Sequence, residues 1–341
     1  MPAPEPRANS ILLGHEAAEA TLLDAVRAGR MHHAWLITGP EGVGKATLAY
    51  RFGRRLLAGT PTADSLALDP ANPVFRRVAA GSHADLLTVE RVVNEKTRRM
   101  KTQIAVDDVR RINGFMSLTP AEGGWRVVII DGAEDLNQAS ANALLKVLEE
   151  PPPRAILLLV CAAAGRLLPT IRSRCRRLRL SALADQPMGQ LMTQYLPDLN
   201  ADERGRLVSL AEGSPGRAIM LAEEEGLAIA GMVDKLLAEV PAIPVARGYE
   251  IADALGRSET GFSTFMDLMR AGLAAAVRES VRGRADPEQQ RLVALRPLDA
   301  WGDLWHGLTR LQDETERFAL DKRQAIVAGI GMLSEPTREL A

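Results

Sequence analysis

Cysteine is almost missing from this 341-residue chain. The two present, Cys161 and Cys175, can build neither a disulfide framework nor a four-thiolate zinc site. They suit a reducing compartment, and no zinc is expected. Aromatic side chains are scarce too, at 4% of residues, while Ala, Leu and Arg are abundant, a balance that favours helices over an all-β design. Neither charge sign is in excess. Lys+Arg total 42 against 43 Asp+Glu, a net charge of -1, so the chain lacks the basic surplus of an autonomous nucleic-acid binder. Any DNA contact must be local or shared with partners. Uninterrupted apolar runs of about 18 residues, the length needed to span a bilayer, are absent. The opening MPAPEPRANS has no apolar signal-peptide core. The expectation is a cytoplasmic protein with no membrane partner and a short, flexible, Pro-rich tail over residues 1–10.

The length exceeds what a single core usually supports, so two or three domains are expected. In the first half, short apolar runs alternate with helical periodicity, the pattern of an open parallel α/β sheet with helices on both faces. AWLIT (34–38), RVVIID (126–131) and AILLLV (155–160) read as strands buried on both faces, and DLLTVE (85–90) as a weaker fourth. Leu48, Phe52 and Leu56 recur at helical spacing, with Gly59 placed to end that helix. Leu136, Ala139, Ala143, Leu144, Val147 and Leu148 make a second stripe, stopped by Pro151, Pro152 and Pro153. Beyond about residue 180 strand signals fade. GSPGRA (213–218) marks a turn in a small helical segment, VPAIPVARG (240–248) reads as a linker, and the remainder reads as all-helical.

GPEGVGKATL (39–48) satisfies G-x-x-x-x-G-K through Gly39, Gly44 and Lys45, with Gly42 between them. Glycines let several backbone N–H groups converge on one phosphate, the next helix adds its positive end, and lysine reaches the outer oxygens. Three such residues arise by chance in roughly one chain of this length in ten at average glycine usage. The strand before them and the helical stripe after them supply the frame that gives the match its weight. One position departs from the pattern. Ala46 stands where P-loop NTPases place the hydroxyl that holds Mg²⁺, and Thr47, about 100° further round the helix, is expected to face elsewhere. ATP or ADP is therefore expected to bind weakly or not at all, with poor metal placement.

Asp131 ends a buried strand, where ligands of open α/β sheets bind, so it is the candidate metal-side carboxylate opposite the loop. Position 132 is glycine, which leaves no carboxylate beside Asp131 to polarise water. Glu134 and Asp135 read as helix N-terminal charges.

Three runs together, LLGHEAAEATLLDAVRAGRMHHAWLITGPEGVGKATLA, GGWRVVIIDGAEDLNQASANALLKVLEEPPP and LLPTIRSRCRRLRL, resemble the AAA+ clamp-loader family, and the likeness extends through GSPGRA to FALDKRQAI. The tripeptide Ser173-Arg174-Cys175 is its most specific element. The resemblance implies an AAA+ nucleotide-binding domain (11–180), a small helical lid (181–240) and an all-α collar (241–341). It further implies a stator subunit with little ATPase activity of its own. Such a subunit would assemble with gamma/tau and delta subunits in a hetero-pentamer that loads a sliding clamp onto primed DNA. By similarity Arg174 would be an arginine finger acting in trans, a device worth about 10³ to 10⁵ in rate where it operates. Hydrolysing relatives carry a glutamate at the position of Gly132, and a lid arginine near that of Arg217, which here is displaced by one residue. The stretch AGTPTADSLALDPANPVF lacks the cysteines of the zinc module that many relatives carry there. The rival reading is a self-sufficient, gamma-type ATPase, against which Ala46 and Gly132 both stand.

Other features have plainer readings. Arg176, Arg177 and Arg179 fit the solvated side of a strand, NEKTRRMKTQ (94–103) an exposed basic loop, and Trp301 and Trp305 helix packing. His15, His32 and His33 lack carboxylate or thiolate companions at ligand spacing and read as structural. No histidine stands near Cys175 in sequence to activate its thiol.

Overall fold

The computed structural model describes residues 4–59, 65–93, 101–256, 258 and 260–334. The chain divides into two compact units, Met1–Ile219 and Met220–Ala341. In the first, a parallel sheet runs in the order β2-β3-β4-β1-β5, with β1 Ala34–Thr38, β2 Leu86–Val89, β3 Arg126–Asp131, β4 Ala155–Cys161 and β5 Arg176–Arg179. The three apolar runs read as buried strands are its three central members. Every residue of β4 is buried, because helices cover both faces of the sheet. DLLTVE supplies one edge strand. The other edge, β5, carries exposed Arg176, Arg177 and Arg179 around buried Leu178, and charge of that kind on an edge discourages pairing with another sheet.

Alternate strand residues serve opposite layers. Ala34, Leu36, Val128, Ile130, Leu157 and Leu159 share a core with Val109, Ile112 and Met116 of α4 (Val106–Ser117) and with Ala141, Leu144, Val147 and Leu148 of α5 (Gln138–Glu149). The opposite face receives α2 (Lys45–Leu57), whose Gly53 lies against Val127 and Ile129. The helix α1 (Glu16–Arg27) packs beside α2. Asn137 caps α5 by accepting from the Ser140 N–H at 2.9 Å, and the helix stops before the proline run, as its sequence predicts. The short helices α3 (Pro73–Ala79) and α6 (Pro169–Ser173) fill connections. This unit closes with α7 (Asp185–Tyr195), α8 (Ala201–Ala211) and the start of α9 (Pro215–Glu223).

The N-terminal segment departs from the expectation of a free tail. Arg54, fully buried in α2, donates to the carbonyls of Arg7 (2.8 Å) and Asn9 (2.6 Å) while its guanidinium lies over the Phe75 ring. Arg51 donates to Ser10 O at 2.6 Å, and Tyr195 donates to Asn9 Oδ1 at 3.1 Å. Buried guanidiniums need acceptors, and these carbonyls provide them, so the polar needs of α2 hold the segment down.

The regular elements among the second unit's described residues are helices: the end of α9, then α10 (Gly226–Glu239), α11 (Val245–Leu255), α12 (Gly261–Val281), α13 (Pro287–Val293), α14 (Leu298–Arg317) and α15 (Lys322–Ser334). The long α12 is its centre, packing on α10, α13, α14 and α15 through a buried face that includes Phe262, Phe265, Met269 and Leu273. Trp301 is buried and donates its indole N–H to Val293 O at 3.2 Å, whereas Trp305 is partly exposed. The stretch read as a linker ends early, since α11 starts at Val245 and places Gly248 against Val327 of α15. The basic stretch 94–103 lies outside the described residues up to position 100.

Candidate nucleotide cleft and arginine edge

Parallel pairing puts the strand C-termini at one end of the sheet. Thr38 stands beside Cys161, and Val160 beside Asp131, so the loop after β1, the end of β4 and the end of β3 line up in that order. A cleft of about 680 Å³ opens there, within the usual size of ligand sites. Gly42, Gly44, Lys45, Ala46 and Thr47 form one wall, and Asp131, Gly132 and Glu134 another. Thr47, expected to turn away, lines the cleft as well, although it is largely buried. Asn9, Leu12, Leu13, Tyr195 and Gly216 complete the enclosure.

The loop is braced from several sides. His15 binds Val43 O through Nε2 at 2.8 Å, which requires the proton on that nitrogen and ties α1 to the loop. Ser214 donates to Glu41 O, and the Gly216 N–H donates to Gly42 O at 2.8 Å. A Cβ at Gly42 would come within 2.6 Å of Ser214 Oγ, and its φ of 70° already favours glycine. The loop glycines thus answer to packing as well as to phosphate. Lys45 Nζ donates to the loop's own carbonyls, Gly39 O at 3.0 Å and Pro40 O at 2.6 Å. Burial pushes the Lys45 pKa below the usual lysine range, opposed by the charges of Glu134, Glu41 and Asp131.

Asp131 sits where its strand-end position predicts. Burial, with Glu90 second, pushes its carboxyl up to about 6. Gly132 has a φ of 75°, so the missing glutamate is a backbone matter as much as a side-chain one. Glu134 and Asp135 stand in the first turn of a short 3₁₀ helix (Ala133–Asp135) after β3, as their reading as helix N-terminal charges expects, and each has a further partner. Asp135 pairs with Arg91 at 3.0 Å. Glu134 Oε1 accepts the N–H groups of Ala162 (2.7 Å) and Ala163 (3.3 Å) across the end of β4. Those backbone donors, far away in sequence, are why local reading missed this role. Five carboxylates (Glu41, Glu90, Asp131, Glu134 and Asp135) line the cleft against three cations (Lys45, Arg91 and Arg166). That balance is poor for a polyphosphate.

The residues fit a nucleotide's phosphates better than its metal. Lys45 and the first N–H groups of α2, which have no carbonyl one turn earlier in the helix, can hold phosphate. Ala46 offers no hydroxyl, and Asp131 is only partly ionised just above pH 6. Arg217 is not among the residues that line the cleft; its guanidinium pairs with Glu212 at 3.4 Å. The described residues hold no cluster of three or more His, Cys, Asp or Glu side chains suited to a metal. Burial pushes both thiols, Cys161 and Cys175, up to about 12, so neither is a nucleophile at neutral pH. No helix among the described residues is long and apolar enough to cross a membrane.

Arg174 lies at the other end of the sheet. Trp35 pairs with Arg176 and Thr38 with Arg179, so a residue just before β5 stands level with the start of β1, not with the loop that follows it. Strand rise of about 3.3 Å per residue makes that offset on the order of 10 Å. Arg174 therefore stands away from its own chain's phosphate loop. Its side chain is partly exposed and pairs with Glu149 at 2.7 Å.

The family described as DNA polymerase III, delta subunit, matches residues 14–184. The DNA polymerase III subunit delta' of Pseudomonas aeruginosa is 34% identical over 222 residues, 64% of this chain and 65% of that protein. Its Escherichia coli K12 counterpart is 34% identical over 202 residues, 59% of this chain and 57% of that one. The E. coli tau subunit is 29% identical over 225 residues, 64% of this chain and 33% of its own length. The matched region thus spans less than two thirds of each of these relatives. A DNA polymerase III gamma subunit-related protein of Thermotoga maritima superposes with a TM-score of 0.45 at 19% identity, over 92% of this chain and 99% of that one.

Proposed function

The chain belongs to the DNA polymerase III delta-subunit family, and from that premise we propose that it is a delta-prime-type stator of a replicative clamp loader. In this reading residues 11–180 are the AAA+ domain, 181–240 the lid and 241–341 the collar. The collar joins gamma/tau and delta subunits in a hetero-pentamer, which opens a sliding clamp and places it on primed DNA in the cytoplasm. ATP or ADP, if held, rests on Lys45 and the loop around Gly39, Gly42 and Gly44, with Thr47 beside it and Asp131 facing any Mg²⁺. The nucleotide supplies conformational bracing here, not a cleaved bond. Arg174 acts on the γ-phosphate of ATP bound to the adjacent subunit. The observation that carries the reading is the separation of the two cations: Lys45 faces this chain's cleft, and Arg174 stands at the opposite end of the strands.

The purified chain is expected to show almost no ATP turnover, with or without primed DNA and clamp. Robust turnover that Lys45→Ala abolishes would identify a self-sufficient ATPase and end the stator reading.

A further inference from the structure

Arg174 is held by two elements at once. It follows α6 directly and donates from Nη1 back to Thr170 O at 3.0 Å. From Nη2 it reaches Glu149 Oε1 at 2.7 Å, on the last residue of α5. Both supports are rigid, since α6 is pinned by fully buried Ile171 and the end of α5 by buried Val147 and Leu148. A guanidinium carries five N–H donors, so two contacts leave others for a further anion.

Glu149 is unfavourably placed for the dipole of its own helix. A carboxylate in the last turn faces the negative end of the helix dipole, and Glu150 adds a second beside it. Its placement is explained by Arg174. The side chains are 36% and 50% exposed respectively, so solvent screens the pair and an incoming phosphate can compete for the cation.

We infer that Glu149 is the positioning residue for Arg174, fixing the guanidinium so that its remaining donors meet a phosphate group without a search through rotamers. This rests on Arg174 acting on a neighbouring subunit's nucleotide. Ordering a long side chain before the partner arrives lowers the barrier to the step it assists, since the conformational freedom is given up in advance.

The test uses the loader reconstituted with a gamma/tau-type ATP-hydrolysing neighbour, with ATP as substrate. Glu149→Ala should lower kcat two- to fivefold, the range of an exposed ion pair, with KM for ATP unchanged. Glu149→Gln, which keeps a neutral acceptor, should recover most of that loss. In an Arg174→Ala background Glu149→Ala should do nothing more. A stability defect cannot imitate this, because removing Glu149 relieves the helix end. In the isolated chain, ¹⁵N relaxation at Arg174 Nε should show an ordered side chain that loosens in Glu149→Ala. Unchanged order at Nε, unchanged kcat, or equal losses in both backgrounds overturn the inference. If Arg174→Ala itself leaves turnover intact, it is the finger reading that has failed.

Discussion

The two ends of one sheet carry opposite chemical characters. At the strand C-termini, Lys45 is turned onto its own loop and shares a cleft with five carboxylates. At the N-terminal end, Arg174 is half-exposed, pairs with the carboxylate of Glu149 and retains donors beyond that contact. The first end has a glycine-rich loop and a buried lysine but neither a hydroxyl at Ala46 nor a carboxylate at Gly132; the second has a cation with donors to spare. In the proposed assembly the two ends are complementary, because what one subunit lacks its neighbour would present across the joint.

Removing Arg174 is the harshest way to break this contrast. Arg174→Ala should leave assembly intact while slowing single-turnover ATP hydrolysis at the adjacent site by about 10³-fold; size-exclusion profiles check the first half and rapid quench the second.

The cleft end is probed next by pH. Burial pushes the Asp131 carboxyl up to about 6, above the usual aspartate value of about 3.9, so the folded state binds that proton more tightly than the unfolded one. Ionisation therefore costs stability: the deficit is absent below about pH 4, grows between pH 4 and 6 and is complete above that, on the order of 3 kcal/mol. Asp131→Asn should raise the denaturation midpoint at pH 8 and lose that advantage by pH 4. An equal gain at both values would mean that burial of Asp131 is not what shifts it.

Rebuilding the cleft should fail for a conformational reason. In Ala46→Thr/Gly132→Glu the restored hydroxyl and carboxylate are expected to give no turnover. Glutamate at a φ of 75° costs about 1 kcal/mol and brings the backbone out of register with the site. Hydrolysis by this double variant would show that side-chain loss alone silenced the cleft.

Much of the cleft was legible in sequence. The loop pattern singles out Gly42, Gly44 and Lys45 and the strand end singles out Asp131, and all four line the cleft, because strand-loop-helix punctuation is local. The second role of Glu134 is not legible for the complementary reason: the N–H groups it accepts, those of Ala162 and Ala163, lie 28 and 29 residues away. The free-tail reading fails likewise over the described residues 4–10, because Arg54, 45 and 47 residues downstream of its acceptors, needs buried carbonyls. Arg174 was picked out by the resemblance of its tripeptide, not by any property of the arginine run around it.

Periodicity and punctuation specify elements, since a helix or strand depends on residues a few positions apart. They were enough for the parallel sheet and the helical second half. Strand order and register are long-range, and they alone decided that Asp131 faces Lys45, that Arg174 stands at the far end of the strands and that Glu149 meets it. A polar side chain's partner is whichever group folding brings within about 3 Å, and spacing along the chain does not carry that distance.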